Sequence, residues 1–482
     1  MINFRIIARV FSQVLIIEGI FLLISAGVSL LYKESAAGPL LYSSIITLVS
    51  GILVFTPLRN EEKLYGSREG YVILTSVWIL FSLFGSLPYL FTSAAGNFTD
   101  AFFESISGFT TTGATIFRDI ESLPHGILFW RSLTQWLGGI AILTLSFYVL
   151  PVIKSINIQL STTEFSGQMT DKIHPKAIET TKRLVSIYIA LTFGEALLLI
   201  IFKMPVFDAI CHSFSTLSTG GFSTRNHGIA AFGSPFIRAI ITLFMFLAGT
   251  NLALVYFALK GQFKKIIRNN EFVIYAILAA GISLFITFLL FHESGKTFSK
   301  ALSDGFFNSI SILTTTGFYT VNFSQWSNLG ILIIFILMFT GGMAGSASGG
   351  IKIIRLMIIV KNARNDLRRL VHPDAFLPVR VEKKKIPQDT VYNLLIFIIL
   401  YFITLCAGSL IISLLDYDII TSLSTAASML GNIGPGLGDF GPFATYADLP
   451  STGKWILCML MLLGRLELLT VIVIFTRSFY NR

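Results

Sequence analysis

Four stretches of this 482-residue chain repeat one arrangement of residue types. Asp100 opens an apolar run that ends in Thr111, Thr112 and Gly113. Asp208 leads in the same way to Thr219, Gly220 and Gly221, and Asp304 to Thr315, Thr316 and Gly317. Acid and final glycine stand thirteen positions apart in all three. A fourth copy keeps that length from Thr421 to Gly434, with Asp418 just upstream, and closes on Asn432, Ile433 and Gly434. The six histidines show no metal-ligand spacing, so the chemistry on offer is that of the main chain. Glycine admits positive φ and lets backbones approach closely; the threonines stiffen the strand and add hydroxyl oxygens. Four such turns around one axis would set peptide carbonyls where a monovalent cation otherwise keeps its water, as ion-channel filters do.

The apolar run before each glycine is about 18 Å long as a helix, too short for ~30 Å of hydrocarbon yet too apolar for a solvated loop. A re-entrant half-helix reconciles the two. It enters from outside, stops near mid-membrane and returns as extended backbone, which is tolerated only inside protein or beside a wet cavity. An acid at its start would cap free N–H groups and complement the helix dipole. A short interfacial helix with an ordinary turn is the plainer reading of one copy, but not of four.

Composition supplies the membrane. Hydrophobic residues make up 54% and charged residues 13%, about half the charged share of a soluble domain. That excludes a water-soluble surface, and the apolar content excludes intrinsic disorder. The net charge of +10 is read as Lys and Arg in cytoplasmic loops, not as a nucleic-acid footprint. Spans are expected near 11–32, 38–57, 70–92, 128–152, 183–202, 235–259, 272–292, 328–360, 390–415 and 453–476. Arg5 and Arg9 precede the first run, but it continues to Tyr32 and a second follows, which makes it a membrane helix rather than a signal peptide. Basic clusters at 58–69 (Arg59, Lys63, Arg68), 260–268 and 355–385 alternate with loops bearing Asp100, Glu104, Asp208, Asp304, Asp418 and Asp439. Both termini are therefore expected in the cytoplasm.

The eighth span is too long and is interrupted at 341–350, where Gly341, Gly342, Gly345, Ser346, Ser348, Gly349 and Gly350 crowd together. Residues this poor in helix propensity predict an unwound loop inside the membrane. A small-residue packing interface is the alternative; a phosphate-binding loop fails because its lysine is out of place by one position. Arg465 and Glu467 lie within the last span. An intramembrane Arg costs at least ~2.5 kcal/mol, so it should face a partner or an aqueous path. Either a structural Arg–Glu pair between helices or a fixed charge beneath the turns would meet that demand. Lys352 and Arg355 are expected to snorkel to the interface.

Paired helices with intervening turns resemble the Trk/Ktr/HKT superfamily of potassium transporters over essentially the whole chain. TTTGAT around Gly113, STGGFS around Gly221 and GNIGPGLG around Gly434 are similar to its TrkH-type members, as are two helices ahead of the first unit. The fold expected is an all-α integral membrane protein. Four pseudo-symmetric helix–pore loop–helix repeats (70–182, 183–271, 272–389, 390–482) surround one pore, preceded by two extra membrane helices (1–69). The resemblance implies K⁺ uptake across the cytoplasmic (inner) membrane through a gated, channel-like pore, with K⁺ as the transported ion, no covalent cofactor and no enzymatic activity.

By the same resemblance, filter carbonyls come from Thr111 and Thr112, Thr219 and Gly220, Thr315 and Thr316, and Asn432 and Ile433. Glycine at all four filter positions matches the potassium-selective pattern. Residues 341–350 become a gating loop that obstructs the pore when closed, with Arg465 beside it. A homodimer with one pore per protomer is implied, as is a cytosolic nucleotide-binding subunit of the TrkA type on the basic stretch from Lys361 to Lys385. That stretch would otherwise meet anionic lipid. An H⁺- or Na⁺-coupled secondary transporter is the alternative, since it too uses repeats and broken helices. A membrane-embedded enzyme is disfavoured, because Glu195, Arg465 and Glu467 form no catalytic set.

Overall fold

Apolar runs become helices almost throughout the computed structural model, which describes residues 2–59, 66–148, 173–293, 295, 297–375, 377–382 and 384–480. Helices α1 (Phe4–Leu31) and α2 (Ala37–Leu58) pack together ahead of the repeats. The first repeat is α3 (Ser67–Gly85) with its continuation α4 (Leu87–Phe91), the half-helix α5 (Phe98–Phe109) and α6 (His125–Tyr148). The second is α7 (Ile173–Ile201), half-helix α8 (Val206–Leu217), α9 (Pro235–Ala248), α10 (Leu252–Leu259) and the short α11 (Phe263–Ile267). In the third, α12 (Asn270–Glu293) and half-helix α13 (Phe298–Leu313) precede α14 (Asn328–Leu337) and α15 (Ile353–Val371). An antiparallel hairpin of β1 (Arg380–Val381) and β2 (Lys384–Lys385) follows. The fourth comprises α16 (Gln388–Ser413), half-helix α17 (Ile419–Gly431), α18 (Ser451–Arg465), α19 (Leu468–Ile474) and α20 (Arg477–Tyr480). Four helix–turn–helix repeats thus follow two leading helices.

Among the described residues three of the ten expected spans are broken, not one. Besides the gap between α14 and α15, α9 and α10 meet at 113°, and α18 and α19 at 109°. At the first break Asn251 caps α10 by accepting from the Ala253 amide; at the second Glu467 takes φ +58°. Among the described residues six helices are long and apolar enough to cross a membrane, or up to eight if each bent pair is one span. The end of the expected span 128–152, and with it Lys63 and Lys383 of the basic clusters, lies outside the described residues.

The half-helices have 12, 12, 16 and 13 residues. Their acids do not share the role expected of them. Only Asp418 is an N-cap, accepting from Ile420 and Thr421. Asn97 caps α5 instead, and Asp304 sits inside α13, which begins at Phe298.

Glu104 is not a loop acid. It is fully buried on α5 and pairs with Arg131 of α6 (Nε–Oε1 2.8 Å; side chains 0% and 1% exposed). Removing one partner of such a pair costs about 3–5 kcal/mol, because the other charge stays buried. Arg131→Met should therefore lower the midpoint of thermal unfolding in detergent strongly. Arg131→Met combined with Glu104→Gln should recover most of that loss.

Candidate ion pathway

Each half-helix ends in the same hydrogen-bonded turn. The amides of Thr112, Gly220, Thr316 and Ile433 donate to the carbonyls of Ser107, Ser215, Ser311 and Ser428 at 2.9, 2.8, 2.8 and 2.9 Å. This is the six-to-one bond that closes a helix through a left-handed residue. That residue is usually glycine, yet here it is Thr111, Thr219, Thr315 and Asn432, with φ of 53°, 52°, 58° and 54°. A left-handed β-branched residue costs roughly 1–2 kcal/mol, so the surroundings must over-determine it three times. The glycines follow with φ of +84° (Gly113), +78° (Gly221), +78° (Gly317) and +104° (Gly434).

These turns close a ring. A Cβ added to Gly113 would strike the carbonyl oxygen of Gly220, and one on Gly221 that of Thr316. One on Gly317 would strike the oxygen of Ile433, and one on Gly434 that of Thr112, completing the circuit. Each glycine faces the carbonyl just before the glycine of the next repeat. Only four loops around a common axis give that cycle. All four glycines also line one depression, with Thr115, Tyr319 and Pro435. The twelve residues singled out from the four motifs are thus brought together.

Behind the turns, a position unmarked in the sequence reading repeats. Nine residues before each glycine stand Glu104, His212, Asn308 and Thr425. The first three hold the strand that leaves the turn. Glu104 accepts from the Ile116 amide (2.9 Å) and the Thr115 hydroxyl (3.0 Å). His212 Nε2 bonds Ser223 Oγ (3.0 Å), and Asn308 Nδ2 donates to Thr320 Oγ1 (3.0 Å). In the fourth repeat Ser424 serves, accepting from the Leu437 amide at 2.9 Å. The outer acids are spoken for: Asp100 pairs with Lys454 (2.6 Å) and Asp208 with Arg225 (2.8 Å). The hydrogen bond that Arg225 donates to the Asp208 carboxylate raises the pKa of the guanidinium above its ordinary value.

The segment 341–350 is unwound between α14 and α15 and buried against the third and fourth turns. The Gly349 amide donates to Thr315 Oγ1 (2.7 Å), and the Gly431 carbonyl fills the space of a Cβ on Gly349. Gly345 and Gly350 take φ of +76° and +63°. Ser348 Oγ accepts from the Gly342 amide (3.0 Å) and bonds Ser346 Oγ (2.7 Å). The Gly341 amide meets the Ile351 carbonyl (2.9 Å) across the neck of the loop. Arg465 Nη1 donates to the Ala347 carbonyl at 2.8 Å. One further group emerges only in three dimensions: Glu271, at the start of α12, accepts from the amides of Ala344 (2.8 Å) and Ile354 (3.2 Å) and so ties the loop to the start of α15.

One alternative and one expectation are corrected here. The Arg–Glu pair between helices joins Glu467 to Arg355 at 2.5 Å, while Arg465 bonds a backbone carbonyl. Neither Lys352 nor Arg355 snorkels. Arg355 is buried and stacks over Phe397 (4.5 Å), and the Lys352 ammonium bonds the Ser348 carbonyl. Both charges are spent where backbone oxygens or a carboxylate need them.

A family model described as a cation transport protein, TrkH, matches residues 43–480. The chain is 35% identical over 483 residues to the Trk system potassium uptake protein TrkH of Salmonella typhimurium, covering 99% of this chain and 100% of that one. It is 34% identical to the protein of the same name from Escherichia coli K12, with the same coverage. The crystal structure of the potassium transporter TrkH from Vibrio parahaemolyticus matches with a TM-score of 0.91 at 33% identity, over 99% of this chain and 100% of that chain. All three are named as uptake proteins or transporters rather than enzymes. Broken helices, ring and loop all lie within the matched region, and the chain belongs to the TrkH family of cation transport proteins.

Proposed function

We propose that this chain takes up K⁺ across the cytoplasmic membrane through a channel-like pore whose filter is the ring of turns at Gly113, Gly221, Gly317 and Gly434. The observation that carries this reading is the circuit of glycine against carbonyl. It puts the oxygens of Thr112, Gly220, Thr316 and Ile433 around one axis at van der Waals range of the neighbouring loop. Carbonyls so placed replace the hydration shell of a monovalent cation. The relatives named above are potassium transporters, which favours K⁺ as the ion. With the interior negative, inward movement gains about 2.3 kcal/mol per unit charge per 100 mV, so a gated pore needs no further energy source.

Residues 341–350 and Arg465 form the gate in this reading. The loop is tied to Thr315 of the filter, and Arg465 and Lys352 place two cationic groups against its carbonyls. A cation leaving the filter meets both. The basic clusters put the termini and the hairpin on the cytoplasmic side. There, α15 and the hairpin offer a surface for a nucleotide-binding regulatory subunit of the TrkA type. The protomer works as half of a homodimer, each half with its own pore.

Radiotracer Rb⁺ uptake into proteoliposomes with Na⁺ in competition tests both parts. Gly113→Ser and Gly317→Ser push a side chain into the neighbouring carbonyl and should degrade discrimination against Na⁺ while the protein stays monodisperse; unchanged selectivity in both variants would refute the filter. Arg465→Ala should raise basal flux. So should Glu271→Gln, by about tenfold or more, since a hydrogen bond to a charged group is worth about 1.5–3 kcal/mol. Flux that is lower or unaltered in both would remove the loop from the gate.

A further inference from the structure

The four turns are not braced alike. In the first, Thr112 Oγ1 bonds Thr110 Oγ1 at 2.8 Å, and in the third, Thr316 Oγ1 bonds Thr314 Oγ1 at 2.8 Å. A threonine just before the glycine thus locks onto a threonine two residues earlier. The fourth turn has Ile433 at that position, and Asn432 ties it instead to Thr112 Oγ1 (3.0 Å) and the Met461 carbonyl (2.9 Å). The second turn has Ser218 ready as the inner partner, but Gly220 stands where the outer threonine belongs. Its missing side chain has a substitute. A Cβ built on Gly220 would run into the amide of Gln135, with Oε1 at 2.6 Å and Nε2 at 2.8 Å.

Gln135 comes from α6 of the first repeat and clamps the second turn on both sides of its glycine. Nε2 donates to the Gly220 carbonyl at 2.6 Å, and Oε1 accepts from the Phe222 amide at 3.1 Å. Its neighbours on the same helix stripe continue the contact: Arg131 Nη1 donates to the Ser223 carbonyl (3.2 Å), and a Cβ built on Gly139 would stand 3.1 Å from Ser218 Cβ. Gly249 packs on Thr314 as Gly139 packs on Ser218, and Gly464 meets the Leu430 carbonyl as Gly138 meets that of Phe109. These matches place Met245 and Met461 at the positions corresponding to Gln135. Both are fully buried and apolar, and the turns they face, the third and the first, carry their own threonine pair. Among these three turns the polar side chain occurs where the threonine is lacking, and the fourth, which also lacks one, is braced by Asn432.

We propose that Gln135 is a selectivity-determining positioning residue, supplied in trans from α6, which holds the Gly220 carbonyl of the second turn in the orientation its threonine pair fixes in the first and third. A carbonyl has two lone pairs: Nε2 takes one and leaves the other for the ion. The planar amide, bonded at both ends, also prevents the peptides flanking Gly221 from rotating independently. This inference rests on the filter reading above.

The test compares wild type, Gln135→Met, Gly220→Thr and the double variant in the Rb⁺ uptake assay with Na⁺ competition. Methionine keeps the volume and is what the other repeats use. Gln135→Met should lose about tenfold in Rb⁺/Na⁺ discrimination, the size of one buried hydrogen bond. Gly220→Thr alone collides with the amide and should also lose discrimination. Together they rebuild the threonine brace on Ser218, and the double variant should discriminate better than either single one. Wild-type discrimination in Gln135→Met, or no rescue in the double variant, overturns the inference. Should Gln135→Met fail to give monodisperse protein, Gln135→Asn, one carbon too short to clamp, decides by the same ratio. If Gly113→Ser and Gly317→Ser disturb selectivity and Gln135→Met does not, this inference falls and the filter stands; if none does, both fall.

Discussion

The contact of a glycine with a carbonyl oxygen from the next repeat is the constraint from which the rest follows. Four backbones can meet around an axis only where no side chain intervenes, and Gly113, Gly221, Gly317 and Gly434 each leave that room. To reach it, the chain must reverse from helix to strand within two residues, which forces Thr111, Thr219, Thr315 and Asn432 into the left-handed region. Three of those four are β-branched and strained there. Local preference would relax them, so the strain persists only because side chains behind the turns fix both flanks. Glu104, His212 and Asn308 hold the outgoing strands, and the serine carbonyls of the half-helices hold the incoming ones.

Unwound backbone inside a membrane carries polar groups with no water to receive them. The loop 341–350 shows how that cost is offset. Its amides find Thr315, Ser348 and Glu271, and its carbonyls find Arg465 and Lys352. The ionised side chains therefore do not chiefly pair with each other; they satisfy peptide groups, for which a charged partner gives roughly twice the strength of a neutral one. Glu271 stands two residues after Asn269, whose side chain donates to Glu382 of the hairpin at 2.7 Å. Loop and hairpin thus share one short stretch at the start of α12.

What could be read in the sequence was local. The thirteen-residue spacing survives because glycine and threonine are demanded by backbone geometry within each turn, and the glycine-rich gap announces itself by poor helix propensity. Charge partnership was not legible. Asp100 looks like a cap, but Asn97 three residues earlier takes that role, leaving the acid to Lys454 more than three hundred residues away. Arg465 and Glu467 are neighbours in the chain, yet the kink at Glu467 turns them to different partners. The breaks at Asn251 and Glu467 were invisible for a related reason: one polar residue in an apolar run reads as a tolerated exception. The bracing roles of Glu104 and Gln135 emerge only when the repeats are aligned on their glycines and the helix behind each is known.

Building four turn units into one chain frees them from being identical. Four separate copies of one sequence would have to brace every turn the same way and carry every other feature fourfold. Here the first and third turns use threonine pairs, the fourth an asparagine, and the second a glutamine from another helix. Among the described residues the unwound loop occurs in the third repeat alone, and the buried arginine against it in the fourth. In the pore proposed above, an obstruction on one side would be enough, because a cation held by carbonyls needs all four walls. Asymmetry therefore falls on the braces and the unwound loop, where one residue can serve. Symmetry is kept at the glycines, where a single added carbon would break the circuit.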